Sequence, residues 1–366
     1  MVRPSWVEID LEAIAHNVRL LAGIADPARL CAVVKADAYG HGDVPVAEAA
    51  VEAGAPMLAV ALVEEAIRLR EAGIEAPILL LSEPPDQSAS EVVAWDLIPT
   101  VYTPGFARSL SEAAVRPLAT HLKVDTGMHR VGATVADAKD LVAAVVADRH
   151  LELEGVWTHF AAAEEDAVFT TKQLETFNGF VETLRNVGVE VPVRHAANTA
   201  ATLLFPDARL DMVRVGIGIY GQRPAPGMVP DLDLRPAMRV VSHVSMIRRL
   251  PAGARPSYGR RKALPAEAQV ATVPVGYADG LPRALGAHGG DVLVRGKRHP
   301  LAGTVTMDQV MVDVGNDPVE VGDEVVLLGS QGSEAVTADE WAERLDTISY
   351  EIVCQIGPRL PRRYVP

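Results

Sequence analysis

The sequence predicts an α/β protein: an N-terminal (β/α)8 TIM-type barrel over residues 11–235, followed by a mostly β domain over residues 236–366. Three observations carry this. From about Leu30 to Tyr220, eight short apolar runs alternate with amphipathic stretches of helical period. Beyond about Arg235 the helical period nearly disappears, and Val-rich runs follow one another between Gly, Pro and Asp turns. Finally, the competing architecture, a doubly wound open sheet, wants a Gly-rich dinucleotide turn after an early strand; here Lys35 and Tyr39 stand in its place.

The expected barrel strands are LCAVV running into Lys35, MLAV at 57–60, ILLL at 78–81 and IPTV at 98–101. They continue with ATHLKV to Val124, ELEGVWT to Thr158, VPVRH to His195 and LDMVRV to Val215. Between them LVEEAIRLREAG, VADAKDLVAAVVAD and TTKQLETFNGFVETLRNVG read as helices, the first and last stopped by glycine. In the second domain MRVVSHVSMIRRL, AQVATVPVGYA, DVLVRG, QVMVDV and DEVVLLG read as strands, and ADEWAERL as a helix. The short alternating run WVEID, in the N-terminal segment 1–10, is expected to pair with that β domain.

A chain of 366 residues that is 49% hydrophobic buries a sizeable core and suits two domains. Its net charge of -14 argues against nucleic acid or an anionic membrane surface as partner. Two cysteines, Cys31 and Cys354, make neither a disulfide framework nor a metal-type spacing. No signal peptide and no bilayer-length apolar run is read, so a cytoplasmic protein is expected.

In such a barrel the C-terminal strand ends converge on the active face. The first strand gives Lys35 and then Tyr39. Lysine is rarely buried, so Lys35 either reaches water along its stem or is a desolvated amine suited to covalent attachment of an aldehyde. The fifth strand gives Lys123, Asp125, His129 and Arg130, the sixth His159, the seventh His195, Asn198 and Thr199, and the eighth Arg214, Gly216 and Ile217. Each alone has an ordinary reading: a structural histidine, a Lys123–Asp125 ion pair, a bridging arginine. No H-x-H pair favours a metal, and none is expected. Together, two lysines, two arginines and two histidines describe a cationic pocket for phosphate or carboxylate in an acidic chain. Asn198 and Thr199 read as a helix N-cap, and the glycines of GIG let backbone amides approach, in the two loops where such barrels seat phosphate. Amine, phosphate seat and carboxylate-binding arginines suggest pyridoxal phosphate chemistry on an amino acid.

Seven segments, AVVKADAYGHG, KVDTGMHRVG, GIGIYG, SYGR, GYADG, GTVTMDQ and ISYEIVCQI, follow in order along nearly the whole chain. In them the sequence resembles the fold-type III pyridoxal-phosphate enzymes, and closely the alanine racemases. The resemblance implies that Lys35 anchors pyridoxal 5'-phosphate and doubles as one catalytic base. Tyr258 would be the opposite base, supplied by the other subunit of a homodimer. Tyr39, Thr199 and Tyr350, with the backbone at Gly216 and Ile217, would hold the phosphate. Arg214 would face the pyridine nitrogen, with His195 behind it and His159 against the ring. Arg130 and the Met307 backbone would take the substrate carboxylate, beside Tyr277 at the entrance. Lys123 matches a lysine that the family often carries as a carbamate orienting Arg130. Two positions depart from the pattern: Thr199 stands where serine is common, and Thr306 where cysteine is frequent. Neither is a proton-transfer group.

The residue types suit the implied reaction. Racemisation removes the Cα proton from one face and returns one to the other, so two opposed bases serve it. A free phenol titrates near ~10; Arg130, Arg260 and Arg261 in the neighbourhood would lower Tyr258. Arginine holds its proton, so Arg214 hydrogen-bonds the pyridine nitrogen without protonating it. That weak electron sink favours prompt return of the proton at Cα. It separates the chain from related decarboxylases, which resemble the same barrel plus β domain but carry an acid there. The implied function is interconversion of L- and D-alanine for peptidoglycan precursor supply. The alternatives are a racemase of serine, lysine or broader range, a basic amino-acid decarboxylase, and a non-catalytic pyridoxal-phosphate-binding protein. The last would be a single barrel lacking Tyr258, Met307 and Tyr350.

Overall fold

A computed structural model describes residues 3–366, so the first two residues of the N-terminal segment lie outside it. The chain opens with β1 (Trp6–Asp10) and enters a run of parallel strands: β2 (Arg29–Val33), β3 (Met57–Val60), β4 (Ile78–Leu80), β5 (Thr100–Val101), β6 (Leu118–Lys123), β7 (Leu151–Trp157), β8 (Val193–His195) and β9 (Met212–Val215). They pair as two halves, in the orders β4-β3-β2-β9 and β5-β6-β7-β8. Two seams close the ring. At one, Leu80 N donates to Ile98 O and Ile98 N to Ile78 O, both at 2.9 Å. At the other, Asp211 N donates to Arg194 O at 3.1 Å and Arg214 N to Ala197 O at 2.9 Å. The result is the expected eight-stranded barrel. Strands such as MLAV are buried at every position because side chains fill one face and helices cover the other.

Local departures have local causes. The strand expected over 98–101 keeps only Thr100 and Val101, because it begins at the seam and contains Pro99, which has no amide to donate. The helix expected from Thr170 starts at Ala167, where Asp166 caps it by accepting from Phe169 N at 2.9 Å.

The second half adds β10 (Met238–His243), β11 (Met246–Leu250), β12 (Ala268–Val273), β13 (Asp291–Val294), β14 (Lys297–Pro300), β15 (Val310–Gly315), β16 (Glu324–Gln331), β17 (Glu334–Val336) and β18 (Arg362–Val365). One sheet runs β14-β13-β16-β10-β1-β18 with β17 on β16; the other runs β11-β12-β15. MRVVSHVSMIRRL, expected as one strand, breaks at Val244 and Ser245 and crosses from the first sheet to the second. β1 lies antiparallel to β10 and parallel to β18. One continuous apolar core runs through barrel and sheets. Among the described residues no helix is long and apolar enough to cross a membrane.

The C-terminal elements reach the barrel's first loop. Arg362 donates to Gly40 O at 2.8 and 3.1 Å. A Cβ at Gly40 would lie 2.6 Å from Val353 O, in the helix Ser349–Cys354. The site is thus built from both halves of the chain.

Candidate active site

β2 stops at Val33, and Lys35 does not end a strand. It opens a turn in which Ala36, Asp37, Ala38 and Tyr39 all have φ between 50 and 54° and ψ between 38 and 51°. Four successive non-glycine residues in the left-handed region are costly, and their neighbours enforce them. Ala36 N donates to Glu65 Oε1 at 2.7 Å, while Glu65 Oε2 accepts from Ala61 N and Leu62 N. Asp43 N donates to Asp37 Oδ1 at 3.0 Å, and His41 Nδ1 lies 3.0 Å from the carbonyls of both Ala38 and Tyr39. The turn sets Lys35 and Tyr39 on one cavity of about 450 Å3. Burial lowers the proton affinity of the Lys35 amine, and Arg130 lowers it further.

One end of that cavity is built from hydroxyls and backbone. Asn198 Oδ1 accepts from Ala201 N at 2.9 Å, capping the helix Thr199–Leu204 as expected. Thr199 Oγ1 accepts from Gly216 N at 3.2 Å. The Tyr39 phenol presses so closely on Gly216 that a Cβ there would lie 2.6 Å from its oxygen. Tyr350 stands beside Tyr39 with ring centroids 6.2 Å apart. Burial pushes both phenols well above their usual range, so both remain O–H donors.

The other end holds Arg214, fully buried on β9. Its Nη2 donates to Thr158 O and Ala196 O at 2.9 Å and lies 3.2 Å from His159 Nδ1; its Nη1 lies 2.9 Å from His195 Nδ1. No hydrogen bond among the described residues uses Nε. Burial lowers the guanidinium to about 10, which still leaves it charged at neutral pH. His159 lines the cavity, whereas His195 sits behind Arg214. Burial and Arg214 hold both imidazoles well below the usual histidine range.

Along the wall lie Lys123 and Arg130. Lys123 falls to about 7 through burial and then through Arg214, Arg130 and Lys35. The ordinary ion pair with Asp125 does not form: Asp125 accepts from Gly127 N and His129 N and pairs with His129 Nδ1 at 3.0 Å. That leaves His129 exposed, away from the cavity. Instead Lys123 Nζ lies 4.2 Å from the centroid of the Trp157 ring, with Arg214 Cζ 4.5 Å from it. Trp157 and Ser82 line the cavity without having been singled out; both sit in stretches that read as strand or turn filler.

The cavity thus gathers Lys35, Tyr39, Lys123, Arg130, His159, Asn198, Thr199, Arg214, Gly216, Ile217 and Tyr350. It does not include Tyr258, Tyr277 or Met307, which are 72%, 40% and 52% exposed on the β domain. These three are held together there: Thr304 Oγ1 donates to Tyr258 O at 3.0 Å, Tyr277 N to Thr306 O at 2.9 Å, and Ala278 N to Met307 O at 3.0 Å.

Comparison with known proteins agrees with this geometry. Family models of the alanine racemase N-terminal and C-terminal domains match residues 9–224 and 237–364. The alanine racemase of Symbiobacterium thermophilum is 46% identical over 99% of this chain and 97% of its own, and that of Halothermothrix orenii 42% over 100% and 97%. Among solved structures, the alanine racemase of Streptomyces coelicolor superimposes with TM-score 0.95 at 40% identity, covering 100% of this chain and 98% of its own. That of Bacillus anthracis with bound L-Ala-P gives 0.92 at 39%, covering 100% and 96%. A barrel with a lysine at its first strand end, a β domain behind it and full-length similarity of this degree make the chain a member of the alanine racemase family.

Proposed function

We propose that the protein interconverts L- and D-alanine with pyridoxal 5'-phosphate as cofactor, in a homodimer whose two cavities are each completed by the partner. The observation that carries this reading is the position of the Lys35 amine in a cationic cavity, between a hydroxyl-and-glycine cradle and a buried guanidinium. That donor set fits a phosphorylated aromatic aldehyde. Tyr39, Thr199, Tyr350 and the backbone at Gly216 and Ile217, with Asn198 capping the helix, would hold the phosphate, and Arg214 the ring nitrogen. Lys35 would be the covalent anchor, with His159 against the ring.

When bound, the cofactor draws electrons from the substrate's Cα and so acidifies its hydrogen. The chain's own residues do the rest. The Lys35 amine, its proton affinity lowered by burial and Arg130, takes or returns the proton on one face. Tyr258 of the partner subunit serves the opposite face; its exposure, outside its own chain's cavity, is what a base delivered across an interface needs. Arg130 would orient the carboxylate together with the backbone at the partner subunit's Met307, and the partner subunit's Tyr277 would stand at the entrance, since Met307 and Tyr277 of the same chain lie outside its cavity. A Lys123 amine at about 7 is in substantial part unprotonated near neutrality and so able to add to carbon dioxide, forming the N–C bond and releasing a proton. The carbamate so formed would neutralise part of the charge of Arg130. Arg214, charged at neutral pH, would hydrogen-bond the ring nitrogen without protonating it, which would favour racemisation over decarboxylation.

We place the protein in the cytosol, where it supplies D-alanine to peptidoglycan precursors. Its barrel spans 11–235 and its β domain 236–366, the latter completed by the N-terminal strand. Incubation with L-alanine in heavy water tests the reaction. α-Hydrogen exchange with loss of optical rotation is expected; exchange with rotation preserved would point to a one-base enzyme of another kind.

A further inference from the structure

A chain of hydrogen bonds leaves the cavity through Arg214 and ends on the carboxylate of Glu154 on β7. Arg214 Nη1 lies 2.9 Å from His195 Nδ1, His195 Nε2 lies 2.8 Å from His121 Nδ1, and His121 Nε2 lies 3.3 Å from Glu154 Oε2. Its direction is forced. A guanidinium only donates, so His195 Nδ1 accepts and the ring's single proton sits on Nε2. That N–H donates to His121 Nδ1, which leaves the His121 proton on Nε2, facing Glu154. Both imidazoles are therefore single neutral tautomers, though both are fully buried.

The barrel register assembles this chain. His121 on β6 lies opposite Gly155 on β7, and His195 on β8 lies opposite Trp157. A Cβ at Gly155 would stand 2.7 Å from both His121 Nδ1 and Cε1, so glycine alone leaves the ring its place. Trp157 stacks on His195 at 5.5 Å and 13°. An ordinary buried histidine needs one partner on each nitrogen; this one has two partners that continue a path in a single direction.

We propose that His121, Glu154 and Gly155 are positioning residues for Arg214: the relay locks His195 as an acceptor and ties the guanidinium to a carboxylate, fixing its orientation toward the cavity. This rests on Arg214 being the group that faces the cofactor ring.

The test compares holoenzyme carrying Glu154→Gln, Glu154→Leu or Gly155→Ala with the unaltered protein. Imidazole 15N resonances report the tautomers, and kcat and KM are measured for L-alanine. In the unaltered protein both rings are protonated on Nε2. Glutamine still accepts from His121, so Glu154→Gln keeps both tautomers and a kcat within about twofold. Gly155→Ala displaces the His121 ring and Glu154→Leu leaves its Nε2 proton without a partner, so both shift the His121 15N resonances and lower kcat by about tenfold, as when an outer partner of a functional histidine is lost, with KM unchanged. A His121 protonated on Nδ1 in the unaltered protein, or wild-type kcat in Glu154→Leu, overturns the proposal. An unaltered protein with the stated tautomers but no racemisation would instead remove the functional reading and leave the relay standing.

Discussion

Replacing Ala36 with glycine should stabilise this protein, the reverse of what the substitution does in an ordinary helix. Ala36 has φ 54° and ψ 51°, and a Cβ in that region costs roughly 1–2 kcal/mol. Glycine removes that cost but gives the unfolded chain more freedom, worth roughly 0.5–1 kcal/mol. The Ala36 side chain is exposed, and the amide bond to Glu65 survives the change. The net gain is therefore about 0.5–1 kcal/mol. Ala143 provides the control: it is exposed and inside the right-handed helix Val135–Ala147, where the same substitution costs about 1 kcal/mol. Urea unfolding of the two variants at unchanged m-value measures the difference directly, and a gap of about 1.5–2 kcal/mol in opposite directions is expected. Equal destabilisation by both substitutions would refute the left-handed turn, and with it the account of how Lys35 and Tyr39 come to share a cavity.

Three further outcomes follow from the site. Tyr258→Phe should lower racemisation in both directions by a factor on the order of 10^2 or more, yet leave α-hydrogen exchange in heavy water intact for one enantiomer; loss of exchange for both would count against two opposed bases. Arg214→Glu should raise the pyruvate formed per D-alanine formed, through transamination, and an unchanged ratio would remove the electron-sink argument. Lys123→Met should stabilise the protein most below pH 7. The folded-state value of about 7 lies under the ordinary lysine value, so the fold carries a buried charge at low pH and sheds that penalty as pH rises toward 10. Denaturation in carbon-dioxide-free buffer should show a gain of up to about 4 kcal/mol at pH 6 that vanishes near pH 10. A pH-independent gain would mean that packing, not charge, is responsible.

Most of the barrel was legible because its strands are buried on both faces and read as unbroken apolar runs. β14, with the sequence KRHP, and β18, with RRYV, were not legible: as edge strands they carry charge where a core strand carries valine. ISYEIVCQI announced itself as a motif but not as the helix Ser349–Cys354, which is too short to show a period. The left-handed turn left no trace, since the residues that usually mark such backbone, glycines, begin only at Gly40. The cavity residues were recognisable from their places at strand ends. Their electrostatics were not, because the Lys123–Asp125 pairing suggested by spacing gives way to a turn in which Asp125 serves His129. His121 and Glu154 were passed over as polar letters inside strands; only the register of β6, β7 and β8 shows that they touch.

The cavity's charge is the feature that most constrains what binds there. Lys35, Lys123, Arg130 and Arg214 all line it, and among the described residues no aspartate or glutamate does, in a chain with 48 acids against 34 lysines and arginines. Glu65 is turned to backbone amides, Asp125 to His129, and Glu154 reaches Arg214 only through two imidazoles. Burial first, and then the neighbouring cations, take proton affinity from Lys35 and Lys123, while Arg214, with an intrinsically higher value, keeps its charge. Repulsion of this kind destabilises the ligand-free fold and is relieved by any anion that enters. A phosphate at the hydroxyl end, a carboxylate at Arg130 and a carbamate on Lys123 are each able to supply the missing negative charge. Their binding stabilises the fold by mass action.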